Sequence, residues 1–187
     1  MIKKNRKDFL QTTALGLFGS IFLSVPESIQ ANNSGKVQNK AVVKNSVEGE
    51  TYFVRENTPI TIRLSKKTDG IDTISVCTEE MLQGGGIPVH KHLYADEMFF
   101  FQQGTGIFIL DSQEVPVAGG STAFVPRGTW HGLKNTGKEL LVFTFGYTPA
   151  GFEDFFRQIG TLKGFTFKAK TPEEVKTLAE QYGMVYK

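Results

Sequence analysis

The stretch GGGIPVHKHLYADEMFFFQQG, residues 84–104, places two histidines and a glutamate close together in a run with β-strand character. Side chains two residues apart in a β-strand point to the same face. His90 and His92 are therefore expected to point to one side, and Glu97 is expected to return to that side from the strand that follows. Two imidazoles on one face of a strand are half of a metal site.

A second stretch, GSTAFVPRGTWHGLKN at residues 120–135, contains the third histidine of the chain, His131. Pro126 and Gly128 are expected to form a turn that delivers His131 from a distant strand. Imidazole and carboxylate ligands without thiolate suit a borderline divalent ion. The sequence therefore predicts one divalent transition metal ion, which is Fe, Mn, Ni, Co, Cu or Zn. Its four predicted ligands are His90, His92, Glu97 and His131.

The intervals between these residues resemble the two sequence motifs of the cupin superfamily. The first motif, G-x5-H-x-H-x4-E-x6-G, is met from Gly84 to Gly104, and the second, G-x5-P-x-G-x2-H-x3-N, is met from Gly120 to Asn135. Every interval of both motifs matches. The resemblance implies an all-β fold, the cupin double-stranded β-helix or jelly-roll barrel, with a metal ion at its mouth.

Short runs of β-branched and aromatic residues continue on both sides of the motifs and are separated by turns. The predicted strands are TYFV, ITIRL, TISVCT, EMFFF, GIFIL, TAFV and LLVFTFGY. Evenly spaced strands with tight turns are typical of a sandwich or barrel. The alternation places Phe99 and Phe101 on the face of Glu97, and Phe145 and Tyr147 on one face of another strand. These rings are expected to fill the barrel or to line it near the metal.

After Pro149 the pattern changes from strands to short helices. In residues 151–160, GFEDFFRQIG, the apolar residues follow helical spacing. Thr171 is a suitable N-cap, and Pro172 with the two glutamates after it favours a helix that ends at Gly183. Both helices are expected to flank the barrel.

The first 31 residues have the pattern of an export signal. Four bases between residues 3 and 7 precede an apolar run over residues 14–25, which is short for a membrane span. The string NRKDFLQ resembles a twin-arginine signal with Lys7 in place of the second arginine, and Sec export stays open. The protein is therefore expected to be periplasmic or extracellular, with cleavage after Ala31.

The predicted organisation is a signal peptide over residues 1–31, a linker or extended arm over 32–48, and a cupin domain over 49–187. The flanking helices occupy about 151–187 of that domain. The formal net charge of +2 gives no ground for expecting a nucleic-acid partner, and the mature chain is expected to have no membrane span. The single cysteine, Cys77, excludes an intrachain disulfide. Exposed barrel strands favour a homodimer.

A site of three histidines and one carboxylate leaves coordination positions open for water, dioxygen or a chelating substrate. The segments TPAGFEDFFRQIG and EEVKTLAEQYGMVY resemble the C-terminal part of small single-domain cupins described as quercetin-dioxygenase-like. That resemblance implies a dioxygenase acting on a small phenolic, flavonoid-like or diketone substrate. It also implies a catalytic role for Glu97, as a metal ligand and as the base toward a substrate hydroxyl.

Two other functions use the same ligands and stay open at this point. One is a non-catalytic cupin that binds or senses a small ligand. The other is a metal-dependent isomerase or lyase acting on a sugar or an organic acid. The fold does not choose among these activities, because function depends on the site that a fold carries.

Overall fold

The computed structural model describes residues 41–187. The predicted signal peptide, residues 1–31, and the first part of the predicted arm lie outside the described residues. Residues 41–48 of the arm contain no helix or strand. Arg63 donates hydrogen bonds to two carbonyl oxygens of this segment, at 2.9 and 2.7 Å, so the end of the arm lies against the barrel.

The described residues form two antiparallel β-sheets and three short helices. In chain order the elements are β1 (Glu50–Arg55), β2 (Thr58–Leu64), α1 (Lys66–Asp69), β3 (Ser75–Met81), β4 (Gly86–His92), β5 (Asp96–Gln103), β6 (Thr105–Leu110), β7 (Gln113–Ala118), β8 (Thr122–Val125), β9 (His131–Lys134), β10 (Leu141–Thr148), α2 (Glu153–Ile159), β11 (Thr161–Leu162), α3 (Pro172–Gln181) and β12 (Met184–Tyr186). One sheet has the order β11-β1-β2-β3-β10-β5-β8, and the other has the order β12-β4-β9-β6-β7. Non-consecutive neighbours in both sheets indicate that the chain crosses repeatedly between them.

The core between the two sheets is built mainly from aromatic rings. Alternate residues of β5 and β10 face inward, and Phe99, Phe101 and Phe143 are each at most 1% exposed. The ring of Phe99 stacks on Phe145 at a centroid distance of 6.1 Å and meets Phe108 of the other sheet edge-on at 5.2 Å. Stacked and edge-on contacts are arrangements that aromatic rings prefer. The phenylalanines therefore fill the barrel, as the strand pattern predicts.

Two motif glycines adopt backbone conformations that other residues rarely adopt. Gly104 and Gly128 each have a φ of +84°. A Cβ on Gly104 would collide with the carbonyl oxygen of Leu140. The N–H of Gly128 donates to the carbonyl oxygen of His92 at 2.7 Å, which ties the turn before His131 to strand β4. Both glycines thus help to position the strands that carry the predicted ligands.

The two predicted helices are confirmed, and both pack on the barrel. The ring of Phe156 on α2 meets that of Phe145 on β10 edge-on at 5.8 Å. Helix α3 begins with a capping box: the Thr171 hydroxyl accepts from the Glu174 N–H at 3.2 Å, and the Glu174 carboxylate accepts from the Thr171 N–H at 2.8 Å. In the described part of the chain, every helix is too short or too polar to cross a membrane.

The last strand, β12, is an addition to the strands predicted from the sequence. It pairs antiparallel with β4, placing Met184 opposite His92 and Tyr186 opposite His90. A strand of three residues is too short for an alternation pattern to reveal it. The end of the chain consequently lies directly beside the strand that carries two predicted ligands.

Candidate metal centre

The four residues predicted as metal ligands come together in the structure. His90 and His92 lie on β4, Glu97 lies on β5, and His131 begins β9 directly opposite His90. One nitrogen or oxygen of each residue lies within 4.8 Å of the corresponding atoms of the other three. All four residues are buried, with exposures between 1 and 5%. This group could hold one metal ion.

Backbone carbonyls orient two of the imidazole rings. Nδ1 of His90 lies 2.8 Å from the carbonyl oxygen of Pro88, and Nδ1 of His131 lies 3.0 Å from that of Thr129. A carbonyl oxygen only accepts, so Nδ1 carries the proton in each ring. In the neutral imidazole the lone pair is then on Nε2, which points into the centre of the group. Hydrogen bonds of this kind typically fix the tautomer and the ring orientation of metal-binding histidines.

The four ligand atoms are crowded in a way that a cation would relieve. Nε2 of His92 lies 3.2 Å from Nε2 of His90 and 3.2 Å from Oε2 of Glu97, while Nε2 of His131 lies 2.8 Å from that oxygen. Lone pairs on these atoms repel one another unless a proton or a cation lies between them. Nδ1 of His92 is buried without a hydrogen-bond partner among residues 41–187. The donor set therefore fits a divalent transition metal ion.

Glu97 and His90 have the protonation states that bind metal, whereas His131 carries an additional proton. Burial of His131 is outweighed by hydrogen bonding to Glu97, which raises the pKa of His131, so a metal ion bound there would displace the His131 proton that faces Glu97. Burial alone would raise the pKa of Glu97, but hydrogen bonds from His131 and His92 outweigh burial and hold that pKa well below its usual range. Burial and the neighbouring His131 lower the pKa of His90 to about 3. At neutral pH, Glu97 is therefore an anion and His90 is a neutral imidazole, which are the forms that ligate metals.

A cavity of about 700 Å³ opens beside the ligand group. His90 and Glu97 both border it, so a metal held there would be reached from this side. The cavity walls are mostly aromatic and aliphatic, and they include Phe145, Tyr147, Phe152, Phe156, Met184 and Tyr186. Apolar cavities of roughly 300–1,000 Å³ with a few polar groups are typical of small-molecule sites.

Two aromatic residues contact the ligand group from the cavity side. Tyr147 lies opposite Glu97 in the pairing of β10 with β5, and burial together with the Glu97 charge raises its pKa well above the ordinary value. Phe152, just before α2, meets the His92 ring edge-on at a centroid distance of 4.3 Å. The alternation along β10 indicated Tyr147 in advance. No local pattern relates Phe152 to His92, because their contact depends on how α2 packs.

The β5 aromatics fill the barrel, which is one of their two expected positions. Phe99 and Phe101 share the buried face of Glu97, and the Phe99 ring lies 6.2 Å from that of His131. Neither ring lines the cavity, and both meet Phe108 of the opposite sheet edge-on. Among the strands next to β5, β10 supplies aromatic residues to the cavity wall instead, namely Phe145 and Tyr147.

Part of the chain matches a protein family model and two curated proteins. Residues 77–147 match the cupin domain family model. The chain is 31% identical over 67 residues to an uncharacterized protein of Methanocaldococcus jannaschii, covering 35% of this chain and 54% of that protein. It is 32% identical over 60 residues to the oxalate-binding protein of Thermotoga maritima, covering 32% of this chain and 50% of that protein. The chain thus spans about half the length of these curated relatives.

Solved structures share the architecture at low sequence identity. KdgF from Halomonas superposes with a TM-score of 0.53 at 16% identity, covering 60% of this chain and 96% of KdgF. An RmlC-like cupin from Shewanella frigidimarina gives 0.52 at 16% identity, with coverages of 62% and 96%. A predicted oxalate decarboxylase from Thermotoga maritima gives 0.51 at 22% identity, with coverages of 58% and 99%. These likenesses confirm the all-β jelly-roll fold.

Proposed function

We propose that this chain is a metal-dependent dioxygenase acting on a small phenolic, flavonoid-like or diketone substrate. The chain has the cupin fold, and its residues 77–147 match the cupin domain family model. The observation that carries the proposal is the aromatic cavity of about 700 Å³ bordered by His90 and Glu97. A flat, mostly apolar molecule with a chelating oxygen pair fits both the aromatic cavity and the ligand group at its border. Its rings would pack against the aromatic wall, and its oxygens would face the ligand group.

In this proposal His90, His92, Glu97 and His131 hold one divalent transition metal. The bound ion would supply open coordination positions and Lewis acidity for a chelating substrate and for dioxygen. The ion stays unspecified among Fe, Mn, Ni, Co, Cu and Zn, since the same nitrogen and oxygen donors suit several of them. Iron, copper, nickel or manganese would favour oxygen chemistry because these metals can change oxidation state. Zinc would disfavour it, since zinc has no redox chemistry of its own.

The chain's own side chains would bind the substrate and move its proton. Glu97 borders the cavity as an anion of low basicity, so it would accept the proton of a substrate hydroxyl whose own pKa the bound ion lowers. Tyr147 is a phenol and is protonated at neutral pH, and its raised pKa keeps it a hydrogen-bond donor near Glu97 at higher pH as well. Phe152 and Phe156 cover the cavity from the helix side and would exclude water from a bound ring system.

A second candidate function is metal-dependent binding of a small dicarboxylate without turnover. The similarity to the oxalate-binding protein of Thermotoga maritima favours this alternative. The size and apolar lining of the cavity oppose it, because a small dianion would leave most of that volume unfilled and would gain little from aromatic walls. The two candidates therefore differ in whether the ligand is apolar and whether oxygen is consumed.

Oxygen uptake separates the two candidates. Protein loaded in turn with iron, copper, nickel and manganese should consume oxygen with at least one of a set of catechols, hydroxyflavones and β-diketones. Glu97→Gln keeps the side-chain size but removes the charge and the base, so turnover should fall by roughly 10²-fold or more. The three histidines should retain much of the metal in this variant. Glu80→Gln, an exposed position on β3, is the matched control and should keep full activity.

One result would contradict the dioxygenase, and another would contradict only the role of Glu97. Fully metallated protein that consumes no oxygen with any of these compounds, yet binds oxalate tightly, would favour the binding protein. Turnover that survives Glu97→Gln unchanged would keep the dioxygenase but remove Glu97 from its role as base.

A further inference from the structure

A buried carboxylate lies in the apolar part of the barrel, away from the predicted metal ligands. Glu79 on β3 is only 2% exposed, and its side chain lines the cavity. Its strand neighbours are Ile60 on β2 and Phe143 on β10, both almost fully buried. Cys77 and Met81, the adjacent inward residues of β3, are also buried. A carboxylate in such surroundings is costly unless its oxygens are satisfied.

The protein satisfies this carboxylate from one side only. Arg55 donates a hydrogen bond through Nη2 to Oε1 of Glu79 at 2.6 Å, and the Arg55 side chain is itself 42% exposed. Within the described residues, Oε2 of Glu79 accepts no hydrogen bond. A pair of this kind is a weak source of stability, since apolar residues of similar volume generally do as well.

Another buried glutamate shows what a purely structural role looks like in this fold. Glu153 is 1% exposed and lies at the start of α2. Its Oε1 accepts from the Lys66 N–H at 3.2 Å, and its Oε2 accepts from the Gly151 N–H at 2.6 Å. Both oxygens are used to join chain segments. Glu79 differs, because its second oxygen is left for whatever occupies the cavity.

The position of Glu79 relative to the ligand group sets the length of a molecule that could reach both. Ser75, Tyr147 and Glu97 lie in one row across β3, β10 and β5. Glu79 is four residues along β3 from that row, about 14 Å along the strands, and β3 is two strand spacings, about 10 Å, from β5. The two backbone positions are therefore about 17 Å apart. Both side chains reach inward and shorten this gap enough for the charge of Glu97 to act on Glu79, so an elongated ligand of about three rings would span it.

Resting on the proposed function, we propose that Glu79, held by Arg55, is the anchor for a hydroxyl group on the end of the substrate that lies farthest from the metal. The hydroxyl would donate a hydrogen bond to Oε2 of Glu79 while the chelating oxygens face His90 and Glu97. The substrate class is thereby narrowed to elongated aromatic molecules with a chelating oxygen pair at one end and a phenolic hydroxyl at the other. Glu79 is a specificity-determining residue and takes no part in the chemical step.

Binding to zinc-loaded protein tests this anchor without turnover, because zinc is redox-inactive. The two probes are 3-hydroxyflavone and 3,4′-dihydroxyflavone, which share the chelating oxygen pair and differ in the distal hydroxyl. At about pH 8, where Glu79 is mostly ionised, wild-type protein should bind the dihydroxy probe about tenfold or more tightly than the other, as expected for a hydrogen bond to a charged group. Glu79→Met, of similar size but apolar, should bind both probes within about twofold of each other.

Matched variants keep the result interpretable. Glu80→Gln lies on the exposed side of the same strand and should preserve the wild-type preference. Glu79→Gln is the milder change if Glu79→Met folds poorly, and its neutral acceptor should reduce the preference to a few-fold. A circular-dichroism melt establishes that each variant is folded before titration.

The outcomes separate the anchor from the proposed function. An unchanged preference in Glu79→Met or Glu79→Gln would overturn the anchor, while tight metal-dependent binding of both probes would leave the proposed function intact. Failure of wild-type, zinc-loaded protein to bind either probe would overturn the anchor and exclude flavonoid-like substrates, while oxygen uptake with catechols and β-diketones decides the proposed function separately.

Discussion

Two glutamates buried in the same barrel have opposite electrostatic surroundings. Glu97 accepts hydrogen bonds from two imidazoles, which hold its pKa far below the ordinary value. Glu79 is surrounded by apolar side chains, and burial outweighs the nearby Arg55 to raise its pKa to about 7. The two carboxyl groups thus respond differently to pH, and Glu97 remains ionised where Glu79 becomes protonated.

The raised pKa of Glu79 predicts a stability that falls as pH rises. Its pKa is about 7 in the folded protein against 4.5 ordinarily, so the folded state binds more protons than the unfolded chain between these values. The free energy of unfolding should therefore fall by roughly 3 kcal/mol through this group as pH rises from about 4.5 to above 7. Urea denaturation of wild type and Glu79→Gln at about pH 5 and about pH 8 measures it.

In that experiment Glu79→Gln should lose this component of the pH dependence, whereas Glu80→Gln should keep it. If the unfolding free energies of wild type and Glu79→Gln change in parallel with pH, Glu79 titrates near its ordinary value and the cavity around it is better solvated than its burial indicates.

Removing a predicted ligand should lower metal content and the stabilisation that metal provides. His90→Ala should bind less metal, and its melting temperature should rise little on metal addition, because only binding to the folded state stabilises a protein. At a free metal concentration of 100 times Kd, wild type should gain about 2.7 kcal/mol. Metal analysis and thermal melts with and without metal measure both effects, and the exposed Glu114→Gln is the control. Equal occupancy in wild type and His90→Ala/His92→Ala would exclude the assigned centre.

At the scale of elements, the C-terminal segment completes the cavity beside the barrel. Strand β12 adds Met184 and Tyr186 to the wall next to β4, and α3 precedes it directly. Helix α3 also contributes Val175 to the lining. Its start is stabilised by the capping box of Thr171 and Glu174, which satisfies two N–H groups that a helix N-terminus leaves unpaired.

The capping box should contribute measurably to stability. Thr171→Ala removes the hydroxyl that accepts from the Glu174 N–H and should lower the free energy of unfolding by about 1 kcal/mol. For a chain of this size the melting temperature should fall by about 2–4 °C. Thr177→Ala, an exposed position within the same helix, is the control and should be neutral or slightly stabilising. Equal losses in both variants would mean that the hydroxyl at Thr171 contributes nothing specific.

At the scale of the whole molecule, compartment and assembly stay predictions. We expect residues 1–31 to direct export and the remaining chain to fold without them, since β1 begins at Glu50. Replacing Arg6 and Lys7 by glutamine should retain the protein in the cytoplasm if a twin-arginine route is used. Fractionation of cells that express wild type or this variant measures the distribution. Normal export of the variant would favour the Sec route instead. The homodimer likewise stays a prediction.

Sequence alone determined the parts of this protein that depend on spacing within short segments. The His90–His92 pair, Glu97 and the turn before His131 follow from strand alternation and from motif intervals, and the described structure brings these four residues together. The start of α3 follows equally from its first four residues, because an N-cap and the charges behind it act locally.

Tertiary structure decided the shape and lining of the cavity. Phe152 meets His92 across 60 residues of sequence, and Arg55 pairs with Glu79 across a sequence separation of 24. Such contacts depend on strand register and on helix packing, where a shift of one residue would turn a side chain to the opposite face. Local patterns carry no information about these pairings, so the cavity and its second carboxylate could be found only in the folded chain.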